Sequence, residues 1–255
     1  DIKVLAINTS EFHAEKVDAT RCIGDAKVTL EAIMKELKAA GYKSSYTTEI
    51  AEINKEWEKE RLSVLGVQYH GEGFGEGKFV PCVPSWRENI MEDFIRDIGG
   101  TITESNGVGI VREEVDDDAI VVAAAGSLPA DLERLWVTDA KDSYHMEYGA
   151  SCMGYEIAGA FGAKLAAPDK EVYAMVGDGS FLMLNSEIAT AMQENVKINV
   201  IVFDNAAFGC INNLEMNHGI GSIATEFRYT DGKKPTGDLI PVDYAKIGEG
   251  YGLKT

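Results

Sequence analysis

Val172-Tyr-Ala-Met-Val-Gly-Asp-Gly-Ser-Phe181 is the stretch on which the fold turns. Its apolar first half reads as a buried strand, Val172 to Val176, that stops at Gly177-Asp-Gly. A helix then opens near Ser180, with Leu182, Leu184, Ile188, Ala191 and Met192 as its apolar face. Ile198-Asn-Val-Ile-Val-Phe-Asp-Asn205 reads as the next parallel strand. A strand, helix, strand unit of this length brings the carboxyl ends of both strands to one edge of a parallel sheet. Asp178 and Asn205 converge there, at the edge where open α/β sheets bind ligands.

The residue types define the chemistry of that edge. Glycines on both sides of Asp178 allow a tight turn, and the amides of Gly179 and Ser180 at a helix N-terminus favour an anion such as phosphate. The Asp178 carboxylate and the Asn205 side-chain oxygen are hard donors. They suit Mg²⁺, which commonly bridges one or two protein oxygens to phosphates. The pair reads as a metal-diphosphate clamp.

Gly177-Asp178-Gly179-Ser180, the helix after it, and Asn205 at the end of the next strand resemble the cofactor motif of thiamine diphosphate (ThDP) enzymes of the acetohydroxyacid synthase-like kind. That family usually has Asn-Asn where this chain has Asp204-Asn205. The second of the two is the metal ligand, so the role is preserved. The resemblance implies a third ligand in the Ala207 carbonyl, with Gly177, Gly179 and Ser180 at the diphosphate. The loop and helix from Ala206 through Cys210 to Glu215 would close over it. Ser127, in Gly126-Ser127 after the apolar run Ile120 to Ala125, is implied as a side-chain donor to the same group. Tyr148 to Ala166 is similar to the segment that holds the thiazolium and aminopyrimidine rings. There Met153 would wedge the cofactor into its bent form, and the Ser151 carbonyl would accept the aminopyrimidine hydrogen. Relatives usually have Gly at that position.

Ala124 to Trp136 and Tyr144-His-Met-Glu-Tyr148 most resemble members of the family that open a ring in inositol breakdown. The resemblance therefore implies hydrolysis of a C–C bond in a polyhydroxylated cyclohexane-1,2-dione. His145 and Glu147 could face such a substrate, the first shuttling protons and the second binding hydroxyls. The rival readings are a carboligase or decarboxylase acting on 2-oxo acids, a catalytically silent ThDP-fold assembly module, and a flavodoxin-like or nicotinamide-binding domain. The last is disfavoured because Gly154, Gly159 and Gly162 do not have the G-x-G-x-x-G spacing directly after a strand. In this family the activating glutamate lies on a separate pyrimidine-binding domain, usually of a partner subunit, and no segment here resembles it. A homodimer or homotetramer is implied, and this chain alone is expected to turn over little or no substrate.

The whole chain fits a globular α/β protein. It has 255 residues, 45% of them apolar, enough to bury a sizeable core. A formal charge of −18 argues against nucleic acid and anionic membrane surfaces as partners. No apolar run approaches a membrane span and no signal-peptide pattern opens the chain, so a cytoplasmic protein is expected. Cys22, Cys82, Cys152 and Cys210 are scattered without a CxxC pair, which suggests packed thiols.

In chain order, Ile2 to Asn8 reads as a strand and Asp25 to Leu37 as a helix with Asp25 at its N-cap. By the family resemblance residues 1–41 are expected to be the end of a middle domain, a remnant of a second α/β domain. Residues 42–78 read as a linker, with a charged helix from Glu49 to Arg61 and a glycine-rich loop beside His70. Residues 79–255 read as the ThDP diphosphate-binding domain, a three-layer α/β/α fold on a mostly parallel sheet, cut short at its C-terminus. Within it, Ser85 to Ile98 reads as a covering helix and Glu113 to Asp118 as a solvated helix end. Gly219 to Thr236 reads as a flexible substrate lid, and Pro241 to Gly252 as the last helix.

Overall fold

The computed structural model describes residues 3–16, 18–66, 102–138, 140–220 and 222–255. The His70 loop, Cys82, the helix expected over Ser85 to Ile98 and the expected boundary at 78 lie outside the described residues. The chain forms two compact units, Asp1–Trp57 and Glu58–Thr255.

In the first unit β1 (Leu5–Asn8) and β2 (Thr20–Ile23) pair in parallel, with α1 (Glu11–Ala14) between them and α2 (Ala26–Ala39) after. The sequence reading had one strand and one helix here. It missed β2 because Thr20-Arg-Cys-Ile23 is neither an apolar run nor a clean alternation. Asp25 caps α2 as expected, accepting from the Val28 amide at 3.0 Å. The expected charged helix appears as α3 (Thr48–Leu65).

The second unit is built on a four-stranded, all-parallel sheet of order β4-β3-β5-β6. Its strands are β3 (Ile120–Ala123), β4 (Tyr144–Met146), β5 (Val172–Gly177) and β6 (Asn199–Phe203). The β5/β6 register runs from Tyr173↔Asn199 to Gly177↔Phe203, which sets Asp178 and Asp204-Asn205 at one edge. Side chains alternate between two buried layers. Ile120, Val122, Val172, Ala174 and Val176 pack with Ile157 and Ala160 of α6 (Tyr155–Ala166) and Ile188 of α8 (Glu187–Gln193). On the other face Val121, Ala123 and Met175 pack with Val108 of α4 (Glu104–Glu114) and with Leu128, Leu132 and Leu135 of α5 (Ser127–Leu135). This is the three-layer α/β/α arrangement.

The helix expected after Ser180 is broken in two. α7 (Asp178–Met183) ends at Leu184, which leaves the helical region at φ −151°, ψ 63°, and α8 starts at Glu187. Asn185 fixes the break by donating to the Phe181 carbonyl at 3.0 Å while accepting from the Tyr251 hydroxyl at 2.7 Å. The break resets the helical phase, so Ile188 and Ala191 are buried while Leu182, Leu184 and Met192 are exposed. α9 (Gly209–Asn217) follows β6. Much of the expected lid is tied down: the Phe208 amide donates to the Thr225 carbonyl at 2.8 Å, and the Phe227 amide to the Ala206 carbonyl at 2.7 Å. The last helix is the shorter α10 (Tyr244–Gly250), capped by Asp243, which accepts from the Lys246 amide.

Candidate functional site

The chain reverses at the end of β5 without a left-handed residue. Gly177 sits at φ −71°, ψ 152°, and neither it nor Gly179 has positive φ. Their freedom from a side chain serves space instead. A Cβ on Gly179 would lie 2.6 Å from the Phe208 ring, so only glycine lets that ring lie over the turn. A Cβ on Gly177, or on Gly126 at φ +112°, would meet nothing within 4 Å and would project into open space. The left-handed positions are elsewhere: Ser151 (φ 53°), Gly154 (φ 92°) and Ala206 (φ 52°). For Ser151 and Ala206 this conformation costs about 1–2 kcal/mol. Asp204 offsets part of the cost at Ala206 by accepting from its amide at 3.0 Å.

One amide joins the two strand ends. The Ala207 N–H donates at 3.2 Å to both Asp178 Oδ2 and Asn205 Oδ1, and the Gly179 N–H donates to Asp178 Oδ1 at 2.8 Å. Gly179 therefore spends its amide on Asp178 rather than presenting it outward. Asp178 is 1% exposed. Burial, with Asp204 beside it, pushes its carboxyl up to about 7 against the two amides that favour the charged form. Among the described residues no lysine or arginine pairs with it. Two of its acceptor positions hold amides.

These groups surround a cavity of about 200 Å³. Its wall contains every cofactor and metal residue expected from the sequence: Ser127, Ser151, Met153, Gly177, Asp178, Gly179, Ser180, Asn205, Ala207 and Cys210. They come from the loops after β3, β4, β5 and β6. A larger cavity of about 820 Å³ runs along β6 beneath α10, walled mainly by apolar side chains such as Ile198, Val200, Val202 and Tyr244. It contains no carboxylate and none of the expected site residues, so the smaller cavity is the chemical one.

His145 and Glu147 are not in that wall. His145 is exposed on β4, its Nε2 3.1 Å from the Asp142 carbonyl, and borders a separate depression with Tyr155 and Gly159. Glu147 folds back on its own loop. Its carboxylate accepts from the Cys152 amide at 2.6 Å and the Ala150 amide at 2.9 Å, and those bonds hold its pKa below the usual carboxylate value.

Two acids escaped the sequence reading. Glu104, the first residue of α4, lines the cavity and accepts from the Ser127 hydroxyl at 3.1 Å. Burial, then Asp131 and Asp178, push its carboxyl up to about 7. Glu156 lies buried behind the cavity. Neither acid sits in a spaced motif, whereas Phe208, which lies over Gly179, belongs to the loop expected to close there. The only signal near Glu104 is Thr103 before it, an N-cap that accepts from the Asn106 amide at 3.1 Å.

A parallel three-layer fold whose strand-end cavity holds a buried aspartate, an asparagine and a glycine cradle belongs with the cofactor domains that bind diphosphates. The family described as thiamine pyrophosphate enzyme, C-terminal TPP binding domain, matches residues 124–255, and the chain belongs to that family. It is 54% identical over 256 residues to the 3D-(3,5/4)-trihydroxycyclohexane-1,2-dione hydrolase of Clostridium perfringens, covering 100% of this chain and 39% of that protein. The enzyme of the same name from Geobacillus thermodenitrificans is 51% identical over 255 residues, with 99% and 39% covered. The chain spans about two fifths of the length of these curated relatives. Among solved structures, the Rhodococcus jostii RHA1 thiamine diphosphate-dependent 4-hydroxybenzoylformate decarboxylase superposes with TM-score 0.63 at 17% identity. That superposition covers 99% of this chain and 38% of that one and shows a shared fold. No helix among the described residues is long and apolar enough to cross a membrane.

Proposed function

We propose that this chain carries the diphosphate half of the active site of a ThDP- and Mg²⁺-dependent hydrolase that opens a polyhydroxylated cyclohexane-1,2-dione. One observation carries the reading: residues from four loops converge on one cavity where, among the described residues, the buried Asp178 has no cationic side chain to balance it. The substrate class is supported by the 54% identity to relatives named for that reaction. The place in myo-inositol degradation and the homo-oligomer are carried by the family resemblance.

The donor set fits a magnesium diphosphate. One carboxylate, one amide oxygen and one backbone carbonyl, from Asp178, Asn205 and Ala207, make too small a set for a closed protein cage. It suits a hard cation that completes its shell with water and phosphate oxygens. Among the described residues no group of three or more His, Cys, Asp or Glu side chains could hold a metal without such help. Gly126 and Gly177 leave room for phosphate oxygens, and the Ser127 hydroxyl would donate to one by giving up its bond to Glu104. Bound there, ThDP supplies a nucleophilic carbon and an electron sink for cleaving a bond beside a carbonyl. Met153 faces the same space, while Phe208 covers the turn and restricts water from it. The acid that activates the cofactor belongs, in this reading, to a pyrimidine-binding domain of a partner subunit.

Calorimetry of the full-length protein tests the clamp. ThDP should bind with Mg²⁺ and lose affinity at least about tenfold in Asp178→Ala, the scale of one buried charge-assisted contact. Binding unchanged by that substitution would overturn the clamp. Product analysis with the cyclic dione and with 2-oxo acids separates ring opening from carboligation or decarboxylation.

A further inference from the structure

Glu156 is the second residue of α6 and is 1% exposed, yet it stands behind the cavity wall rather than in it. Its surroundings are unusual for a buried acid, since no lysine or arginine among the described residues pairs with it. Polar groups from three different loops take that place. The Gly154 amide, at the end of the loop after β4, donates to Glu156 Oε2 at 2.9 Å. The Ser180 side chain, in the turn after β5, and the Ala125 backbone, just past β3, lie close enough to the carboxyl to favour its charged form. The same Gly154 amide reaches Ser180 Oγ at 3.2 Å, so one amide joins the carboxylate to the turn after β5. Burial raises the Glu156 pKa, and each of these groups acts to lower it.

We propose that Glu156 is a positioning residue that pins the loops after β3, β4 and β5 in the register that receives the diphosphate, a role that rests on the ThDP reading above. The residues it holds adjoin those that face the cavity. Ala125 precedes Gly126 and Ser127, Gly154 follows Met153, and Ser180 follows Asp178 and Gly179. A carboxylate is the only side chain of this length that accepts from several donors and donates to none.

Glu156→Gln keeps the shape and puts an NH₂ where a backbone amide must find an acceptor. In the full-length protein, its ThDP affinity in Mg²⁺ should fall about tenfold or more, the scale of leaving one buried donor unpaired. Hydrogen exchange of the Ala125 and Gly154 amides should quicken, while exchange at Met175 in the centre of β5 stays at the wild-type rate. That split separates positioning from general loss of structure. Should Glu156→Gln fail to fold, Glu156→Asp retains the charge but withdraws it by about one C–C bond, and should weaken binding in the same direction. Wild-type-like affinity and loop exchange in a folded variant overturn the inference while the ThDP reading stands. Absence of ThDP binding by the wild-type protein overturns that reading, and this inference with it.

Discussion

Glu104→Gln tests the electrostatics of the cavity wall directly. The Glu104 carboxyl stands at about 7 rather than 4.5, chiefly because it is buried and secondly because Asp131 and Asp178 lie near. The unfolded chain releases this proton near pH 4.5, and the folded chain holds it until about pH 7. Between those values the native state binds more protons than the unfolded state, so stability falls as pH rises. At 1.36 kcal/mol per pK unit the interval amounts to about 3 kcal/mol, fully present as a cost above pH 7 and absent below pH 4.5. Glutamine preserves the acceptor for the Ser127 hydroxyl and carries no charge. Denaturant unfolding without metal or cofactor should therefore find Glu104→Gln more stable than wild type by about 2–3 kcal/mol at pH 8. The two curves should meet as pH falls to 4.5. Parallel curves across that range, or a Glu104 carboxyl carbon that titrates near 4.5 by NMR, would refute the account.

Two further substitutions probe the scaffold that holds the cavity. Gly154→Ala puts a Cβ 2.7 Å from the Leu184 Cβ at a residue with φ +92°. It should cost about 2–4 kcal/mol in thermal unfolding, from left-handed strain plus overpacking. Leu132→Ala empties a site that is 1% exposed beneath β3 and should cost about 2–5 kcal/mol by chemical denaturation. A cost under 1 kcal/mol would mean that α5 is not packed as described.

Much of the second unit was legible because its central strands are buried on both faces. Ile120 to Ala123 and Val172 to Val176 are continuous apolar runs, and such runs that end in Gly-Ser or Gly-Asp-Gly state both the strand and the place where ligand chemistry starts. What stayed hidden lacked a period. β2 is mostly exposed, so nothing forces its side chains to alternate. The break at Leu184 comes from Asn185 bonding to groups as distant in sequence as Tyr251, which no local window contains. The same holds for the site. The residues that would touch the cofactor lie in spaced motifs, whereas Glu104 and Glu156 act through contacts with Ser127, Ser180 and Ala125 that only the fold creates. Even the glycines of the central motif were read for the wrong property: Gly179 is required for the approach of Phe208, not for turn geometry.

The distribution of charge leads one step further. A cavity meant for a diphosphate would ordinarily be lined by arginine or lysine, and among the described residues this one has neither in its wall. It has instead Asp178 and Glu104 in the wall, with Asp204 beside Asp178 and Glu156 behind, in a chain of formal charge −18. The amides that converge on Asp178 and Glu156 are already used to hold those acids in place. In the proposed reading the attraction for an anion would come from a cation that both the acids and the diphosphate share. The acids would then make the site selective, repelling a free diphosphate and admitting one that arrives with its metal.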